Sequence, residues 1–344
     1  MINPYPKVAV IILNWNGFSD TCDCVESVLK SDYPHYEIFL VDNGSGDDSA
    51  VKLKERFPQV SFIQNTENLG YTGGNNIAIK QALNKGFDYF WLLNNDTVIE
   101  NTCITALIES AQQNESVGLL TPLIYDFSDK AKLQHAGCYV NWNPLSMKRI
   151  NSLQEYLNAQ DKHQVCLWGT ALLIKKSVVV AIGFLDEKFF AYHEDWDYCL
   201  RAIKAGLMCK VVVNTRIYHK NNLDLESIKG RKDHYFYYLA RNGLWFNLKH
   251  SRGLGKVSIL QNYFSKIIGN AGFYKELKCY EAVDATFDGL YHAIFNISGV
   301  WDRNIKCPKF INRIVMAHPF LITDLINLRF DRILFNLIKK GKQE

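Results

Sequence analysis

Short strand-like runs that end in polar residues alternate with helical segments through the first hundred residues. Residues 8–14 form a continuous apolar run closed by Asn14, and we predict three further strands at 38–41, 60–64 and 89–93. Apolar runs of this length are typical of strands in a parallel sheet, because helices cover both faces of such a sheet. The pattern therefore predicts an α/β fold with a mostly parallel central sheet.

The regular alternation loosens after residue 100. We predict two helices, at about 101–113 and 194–206, and three strands, at about 117–122, 167–174 and 208–213. From about residue 228 the sequence is rich in aromatic residues at helical spacing. We therefore expect a domain over residues 1–227 and a helical C-terminal region over 228–344.

Composition excludes several classes of protein. The chain has 344 residues, of which 48% are hydrophobic and 22% charged, so it is neither disordered nor of low complexity. Its apolar runs are far shorter than the roughly 18 residues that a membrane span needs. The N-terminus does not resemble a signal peptide. Nine cysteines occur without a Cys-x-x-Cys pair, which favours reduced thiols and a cytoplasmic location.

Positive charge is concentrated in the C-terminal third. Residues 220–344 contain 20 Lys and Arg against 11 Asp and Glu, whereas the preceding residues are net acidic. Residues 310–340 place apolar side chains at helical spacing among Lys and Arg. This pattern favours either peripheral contact with the inner face of the cell membrane, or packing on the catalytic domain or in a homodimer. The aromatic residues follow helical spacing, so we do not expect nucleic acid as a partner.

Three of the predicted strands end in polar residues. Asn14 ends the first strand, with Asn16 close behind it, Asp42 follows the second, and the run 94–96 follows the fourth. Open α/β sheets bind ligands at the carboxyl ends of their strands. The Asp42 carboxylate either accepts hydrogen bonds from a ribose hydroxyl or a base, or forms a turn.

A glycine-rich segment over 68–76 leads into a predicted helix. Glycines such as Gly70 and Gly73 let the backbone approach a ligand, and a helix N-terminus offers free N–H groups. An ordinary helix entry would look the same. The segment is neither a G-x-G-x-x-G fingerprint nor a Walker A loop, which counts against a dehydrogenase.

Asp96 and His219 are the candidate metal ligands. A carboxylate after a buried strand suits Mg²⁺ or Mn²⁺, with phosphate oxygens and water supplying the remaining ligands. An imidazole from His219 would suit Mn²⁺ better than Mg²⁺. A lone histidine can equally be structural.

The densest acidic cluster lies over residues 193–197, at the start of a predicted helix. Carboxylates are favoured there by the helix dipole, and Asp197 is spaced to pair with Arg201. The cluster is either a structural cap or the site of a general base, which would be Asp195 or its neighbour Glu194.

Taken together, these motifs resemble the family 2 glycosyltransferases. Five motifs carry the resemblance in order and spacing: residues 8–17, 41–45, 68–75, 92–96 and 194–195. Among the members, the sequence is most similar to bacterial rhamnosyltransferase-type enzymes that build O-antigen, capsule and other surface polysaccharides. The resemblance covers about residues 7–250.

The resemblance implies a GT-A fold with a nucleotide-sugar half at about 1–97 and an acceptor half at about 98–227. The residues that would bind the nucleotide-sugar are Asn14, Asn16, Asp42, Asn43, Gly70, Gly73, Asn75, Asn94, Asn95 and Asp96. Asp96 and His219 would hold a divalent cation, Mg²⁺ or Mn²⁺. Asp195, beside Glu194, matches the catalytic base, and the acceptor-side candidates are Trp168, Gly169 and Trp196.

The implied reaction is an inverting transfer of a sugar to a hydroxyl of a saccharide or lipid-linked acceptor. The expected donor is dTDP-L-rhamnose. The alternatives are a galactosyl-, glucosyl- or N-acetylhexosaminyltransferase that uses a UDP-sugar, or a non-catalytic nucleotide-sugar-binding protein. The chain departs from the family pattern at Asn94, which replaces the first residue of the Asp-x-Asp motif. It has no Gln-x-x-Arg-Trp motif, which argues against a processive synthase.

Overall fold

The computed structural model describes residues 5–142, 145–160, 164–220, 230–251, 255–319 and 321–322. The chain divides into two compact units. The first comprises Met1–Asn141 and Met147–Asp224, and the second comprises Trp142–Ser146 and Leu225–Glu344. The boundary predicted at residue 227 lies outside the described residues and stays a prediction.

Strands and helices alternate through the first unit, and helices make up most of the second. The strands are β1 (Val8–Asn14), β2 (Tyr36–Asn43), β3 (Ser61–Asn65), β4 (Tyr89–Asn94), β5 (Thr97–Ile99), β6 (Val117–Asp126), β7 (Leu133–His135), β8 (Cys138–Trp142), β9 (Leu145–Arg149), β10 (Val165–Cys166), β11 (Ala171–Lys175) and β12 (Met208–His219). The helices are α1 (Phe18–Val28), α2 (Ser49–Arg56), α3 (Gly70–Asn84), α4 (Cys103–Gln112), α5 (Leu153–Ala159), α6 (Lys176–Ile182), α7 (Glu194–Lys204), α8 (Asp233–His250), α9 (Gly255–Glu276), α10 (Tyr280–Ile294) and α11 (Lys309–Ala317).

A central sheet organises the first unit. Among the described residues it has nine strands in the order β3-β2-β1-β4-β11-β6-β12-β5, with β7 pairing beside β6. Strands β1 to β4, β6 and β12 run in one direction, and β5, β7 and β11 run against them. The predicted mostly parallel sheet is therefore confirmed. A separate three-stranded sheet has the order β10-β8-β9.

The core lies on both faces of β1 and β4. Residues 8–12 are fully buried, as are Phe90, Trp91 and Leu92 of β4. Burying an apolar side chain of this size contributes about 1.5–3 kcal/mol, so these strands supply much of the hydrophobic stabilisation. The continuous apolar runs in the sequence are explained by this two-sided burial.

The glycine-rich segment was predicted as a loop over 68–76, but α3 already begins at Gly70. Gly70 has φ +72°, and a Cβ there would lie 2.6 Å from the Phe190 ring. A Cβ on Gly74 would lie 2.5 Å from Leu13 Cδ1. These two glycines therefore allow α3 to pack closely against Phe190 and against β1, whereas the sequence analysis interpreted the glycines of this segment as allowing the backbone to approach a ligand.

Two strand boundaries also differ from the prediction. The strand expected at 167–174 begins at Ala171, so Trp168 and Gly169 precede it. The strand expected to end at residue 213 continues to His219, with a register shift between Val212 and Arg216. Because of this irregularity, the apolar pattern of the sequence does not show the full length of the strand.

The second unit contains α8, α9, α10 and α11, so the predicted helical C-terminal region is present as far as it is described. Arg241 of α8 is fully buried among the rings of Tyr237, Tyr238 and Trp245, 4.7–5.2 Å from their centroids. Its guanidinium also donates to the Gly299 carbonyl at 2.7 Å. Most of the amphipathic stretch predicted over residues 310–340 lies outside the described residues.

None of the described helices combines the length and apolar character that a bilayer span requires.

Substitution of Gly289 tests the packing of α10 on α8. A Cβ at this buried glycine would clash with the Tyr237 carbonyl oxygen, whereas a Cβ on Gly269 of α9 would meet nothing within 4 Å. We expect Gly289→Ala to lower the free energy of unfolding by about 1–3 kcal/mol, because overpacking strains both helices. The matched control Gly269→Ala should raise it by about 0.4–1 kcal/mol. Chemical denaturation of the full chain measures both; equal effects of the two variants would contradict the packing.

Candidate active site

Asn14 and Asp42 meet at the carboxyl edge of the sheet. They are paired in the register of β1 and β2, and both are buried. Asn14 Nδ2 donates to Asp42 Oδ2 at 2.8 Å, while Asn14 Oδ1 accepts from Thr21 Oγ1 at 2.8 Å. Asp42 Oδ2 also accepts from Ser45 Oγ at 2.6 Å. The network holds the Asp42 carboxylate in place at the edge where ligands of such sheets bind.

The segment after β1 brings an aromatic ring to the surface. Asn16 has φ +52°, its N–H donates to Ser45 Oγ, and its Oδ1 accepts from the Gly46 N–H at 2.8 Å. The preceding Trp15 is 47% exposed. An exposed indole can stack on a planar ring. Sequence reasoning did not select Trp15, although a tryptophan among polar residues at a strand end was a signal.

Three other residues that were predicted to bind the nucleotide-sugar lie in or contact the start of α3. Asn43 Nδ2 donates to the Gly70 carbonyl at 3.0 Å, and Asn75 Nδ2 donates to the Tyr71 carbonyl at 2.8 Å. Asn43 and Asn75 are at most 2% exposed, and Gly73 is buried in the first turns of the helix. These three residues therefore hold the start of α3 in position below the surface.

Asp96 and His219, the two candidate metal ligands, lie next to each other. β5 pairs with the end of β12 so that Thr97 lies opposite His219. His219 Nε2 lies 3.2 Å from Asp96 Oδ1, and neither atom has a hydrogen-bond partner of good geometry in the described structure. Neighbouring ligands of an octahedral cation at about 2.1 Å lie about 3.0 Å apart. The pair of orphaned atoms therefore fits a shared divalent cation.

Protein ligands beyond this pair are sparse. Within the described residues no group of three or more His, Cys, Asp or Glu side chains is placed to hold a metal ion. The Asn95 side chain donates to Thr21 Oγ1 at 2.9 Å, and the Asn94 carbonyl accepts from Thr97 Oγ1 at 2.6 Å. A cation held by Asp96 and His219 would therefore depend on phosphate oxygens and water for its remaining ligands.

Two adjacent carboxyls at the start of α7 have different environments. Glu194 is buried, and its Oε2 has no hydrogen-bond partner in the described structure. Burial, then the nearby Asp195 charge, raises the pKa of Glu194 well above its usual value. Burial raises the pKa of Asp195 to about 6, although the Gly169 and Trp196 N–H groups donate to it at 2.9 and 2.7 Å. Burial thus favours the protonated form of Glu194, while Asp195 is mostly ionised at neutral pH.

Tyr71 links α3 to the Asp195 carboxylate. Its hydroxyl donates to the Gly169 carbonyl at 2.6 Å, and the N–H of the same glycine donates to Asp195 Oδ2. The glycine-rich segment therefore reaches the predicted base through one backbone residue. Sequence reasoning missed Tyr71, because nothing local indicates that it meets residue 169.

Strained backbone precedes α7. Phe190, Tyr192 and His193 have φ of 64°, 67° and 70°, in the left-handed region that bulky residues avoid. Such residues cost of order 1–3 kcal/mol each and persist where their surroundings hold them. The Phe190 carbonyl accepts from the Thr72 N–H at 3.1 Å. Contact with α3 thus helps to hold the turn that presents Glu194 and Asp195.

The acceptor-side candidates cluster beside Asp195. The Trp168 ring stacks on His135 with centroids 4.7 Å apart and meets the Trp196 ring edge-on at 5.7 Å. Gly169 connects this aromatic group to the base through the hydrogen bond to Asp195. The structure therefore brings Trp168, Gly169 and Trp196 together.

Comparison with known families agrees with this geometry. The model of glycosyl transferase family 2 matches residues 9–178, which include Asn14, Asp42 and Asp96. The chain carries a family 2 glycosyltransferase domain. The match ends before Asp195 and His219, so the geometry described above is what connects these two residues to the matched motifs.

Individual relatives are distant. The N-acetylglucosaminyl-diphospho-decaprenol L-rhamnosyltransferase of Mycobacterium tuberculosis is 28% identical over 201 residues, 53% of this chain and 66% of the relative. This relative and a second curated relative are matched over 65–66% of their own length.

Solved structures establish the fold of this glycosyltransferase domain. Staphylococcus aureus TarS 1–349 in complex with UDP-GlcNAc has a TM-score of 0.56 at 16% identity, covering 96% of this chain and 89% of TarS 1–349. The mannosyltransferase PcManGT of Pyrobaculum calidifontis, in complex with GDP-Man and Mn²⁺, has a TM-score of 0.54 at 11% identity, covering 86% and 90%. The predicted GT-A fold is confirmed.

The raised pKa of Glu194 predicts a pH-dependent effect of Glu194→Gln. Because this group binds its proton more tightly in the folded state, its contribution is present at low pH and lost as the pH rises through the folded-state pKa. Glutamine mimics the protonated acid at every pH. We therefore expect the variant to match wild type at about pH 4 and to exceed its Tm by about 2–4 °C at about pH 8.

Thermal unfolding across this pH range measures the difference. Glu109→Gln on the exposed face of α4 is the control and should show no pH-dependent gain. A constant difference between Glu194→Gln and wild type at all pH values would contradict a raised pKa of Glu194.

Proposed function

We propose that this protein transfers a sugar from a nucleotide-sugar donor to a hydroxyl of a saccharide or lipid-linked acceptor in the synthesis of a cell-surface glycan. The observation that carries the proposal is the placement of Asp195. It is held by two backbone N–H groups beside Trp168 and Trp196, with a pKa of about 6. A carboxylate of this pKa is suited to act as a general base near neutral pH.

The proposed reaction is an inverting single displacement. Asp195 accepts the proton of the acceptor hydroxyl, and that oxygen forms a bond to the anomeric carbon. The bond from the anomeric carbon to the diphosphate oxygen breaks on the opposite face, and the nucleoside diphosphate leaves with the electron pair. A divalent cation held by Asp96 and His219 would neutralise charge on the diphosphate. Trp168 and Trp196 offer ring faces and edges to the acceptor sugar.

Glu194 has a supporting role in this proposal. Its raised pKa favours the protonated form, which adds no negative charge beside Asp195. Were both carboxyls ionised, repulsion would raise the pKa of Asp195 further and leave less of the base deprotonated. Asp42 and the exposed Trp15 would contact the nucleotide at the opposite end of the donor site.

We propose L-rhamnose from dTDP-L-rhamnose as the transferred sugar. Support comes from the relative in M. tuberculosis, whose name specifies a rhamnosyltransferase. A UDP-linked hexose or N-acetylhexosamine is the alternative, since the TarS structure contains UDP-GlcNAc. An assay of nucleotide release distinguishes these candidate donors. It compares dTDP-rhamnose, UDP-glucose, UDP-galactose and UDP-GlcNAc, each with and without a saccharide acceptor. Binding of a donor without turnover under any condition would instead indicate a non-catalytic binding protein.

Asp195→Asn should abolish base catalysis while preserving the fold, because asparagine retains the shape of the side chain. We expect kcat to fall by roughly 10²–10⁴-fold, with the donor dissociation constant little changed. In wild type kcat/KM should fall about tenfold per pH unit below a pKa of about 6. Steady-state kinetics and donor titration measure these values. Turnover close to wild type in the variant would exclude Asp195 as the base.

Asp96→Ala should weaken donor binding and dependence on a divalent cation together, because cation and diphosphate share the site. We expect a loss of about 10–100-fold in donor affinity measured with Mn²⁺, and little change when it is measured in EDTA. The exposed Glu109→Gln on α4 is the control. Full wild-type activity in EDTA would contradict a cation at Asp96.

We further propose peripheral contact with an anionic membrane surface through α11. Phe310 and Ile314 are 64% and 62% exposed and lie one turn apart on this helix. Lys309 and Arg313 flank them in sequence, so exposed apolar and cationic side chains occur together. Such a helix lies on an anionic bilayer, and each nearby cation adds about 1 kcal/mol. A lipid-linked acceptor would be presented at that surface.

The double substitution Phe310→Ser, Ile314→Ser should reduce binding to phosphatidylglycerol vesicles several-fold, since it removes the inserting side chains and keeps the charge. Co-sedimentation measures binding, with Val51→Ser, Val180→Ser as a control of similarly exposed apolar residues. Equal pelleting of wild type and the double variant would contradict the membrane contact. A dimer that dissociates on substitution, seen by analytical ultracentrifugation, would assign α11 to a homodimer interface instead.

A further inference from the structure

The side-chain amide of Gln134 contacts His219 at two points. Gln134 Oε1 lies 2.9 Å from His219 Nδ1, and Gln134 Nε2 donates to the main-chain carbonyl of His219 at 3.2 Å. Both residues are buried, with exposed fractions of 5% and 6%. One amide therefore engages both the ring and the backbone of the same residue.

This double contact determines which ring nitrogen carries the proton. The amide nitrogen can only donate, and the His219 carbonyl can only accept, so the amide oxygen must face the ring. Because that oxygen only accepts, His219 Nδ1 carries the hydrogen in the neutral ring. The lone pair is then on Nε2, the atom that lies 3.2 Å from Asp96 Oδ1. A cation ligand needs such an unprotonated nitrogen.

The surrounding strands hold Gln134 in this position. It lies on β7, which pairs with β6, and its own main-chain carbonyl accepts from Arg149 Nη2. The His219 carbonyl also accepts from the Phe127 N–H at 3.0 Å. Contacts to the main-chain carbonyls of Gln134 and His219 thus help to hold the backbone of both residues.

An amide suits this position better than a carboxylate. A glutamate could accept from Nδ1, but it would place a second acceptor against the His219 carbonyl, which has no hydrogen to give. It would also bury a negative charge. A leucine would leave Nδ1 and the carbonyl without the two hydrogen bonds. Only an amide satisfies the ring and the carbonyl together.

We propose that Gln134 is a positioning residue that holds His219 in the form that ligates a divalent cation through Nε2. The inference rests on the proposed function in one respect, that Asp96 and His219 bind such a cation. A partner of this kind typically contributes 10–100-fold to metal affinity, about the loss we expect on its removal. Because imidazole suits Mn²⁺ more than Mg²⁺, removal of Gln134 should lower the Mn²⁺ affinity more than the Mg²⁺ affinity.

Mn²⁺ binding to the full chain tests the proposal without an assay of sugar transfer. The signal of free Mn²⁺ in electron paramagnetic resonance gives the dissociation constant, for Mn²⁺ alone and with UDP or dTDP added. We expect Gln134→Leu to weaken binding by about 10–100-fold. The control Gln154→Leu, an exposed residue of α5, should bind as wild type does.

A double-mutant cycle separates positioning from a general structural effect. In a His219→Ala background Gln134→Leu should cause no further loss of Mn²⁺ affinity, because the ring it orients is absent. An undiminished loss in that background, or a folded Gln134→Leu protein that binds within twofold of wild type, would overturn the proposal. Wild type that does not bind Mn²⁺ under any condition would refute the cation site itself, and the inference with it.

The tautomer of wild-type His219 supplies a test that needs no folded Gln134 variant. Two-dimensional ¹H–¹⁵N spectra of the metal-free imidazoles distinguish the two neutral forms, and His219→Asn identifies the signal. We expect hydrogen on Nδ1, whether or not Nε2 also carries one beside the Asp96 carboxylate in the metal-free protein. An Nδ1 without hydrogen would overturn the proposal.

Discussion

The parallel register of β1 with β2 and β4 decides where the chemistry of this protein can occur. Asn14 lies opposite Asp42, and Leu13 lies opposite Asn94, so the polar ends of three strands share one edge. Buried apolar side chains on both faces maintain that register, since a slip of one residue would turn each side chain to the other face. The hydrogen bonds between Asn14 and Asp42 and the position of Asp96 both depend on this alignment.

The second half of the site depends on contacts between segments far apart in the chain. Tyr71 near the start of α3 reaches Gly169, and Gly169 reaches Asp195. The strained turn before α7 is held against the same helix through Phe190. One glycine-rich helix start thus supports the predicted base, and this explains why its glycines are needed for close packing. Burial of this turn then raises the pKa of both Glu194 and Asp195.

Much of the fold could be predicted from local pattern. The apolar runs predicted β1, β2 and β4, because strands buried on both faces have few polar residues. The acidic start of α7 and the pairing of Asp197 with Arg201, 2.9 Å apart, followed from helix spacing. Prediction failed where glycines or a register shift obscured the pattern, as at Gly70 and in the last part of β12. The local sequence at these two positions does not indicate the packing against distant residues that sets where α3 begins and where β12 ends.

The sequence by itself determined the α/β class, the polar strand ends and the residue types Asp96, His219, Glu194 and Asp195. The order of the motifs was sufficient to identify these features, since each motif lies within a few consecutive residues. Only the tertiary structure decided that His219 Nε2 faces Asp96, that Gln134 orients the ring, and that Glu194 is buried while Asp195 is partly exposed. The physical reason is that burial and hydrogen bonding across the sheet set protonation and orientation, and residues distant in sequence supply both.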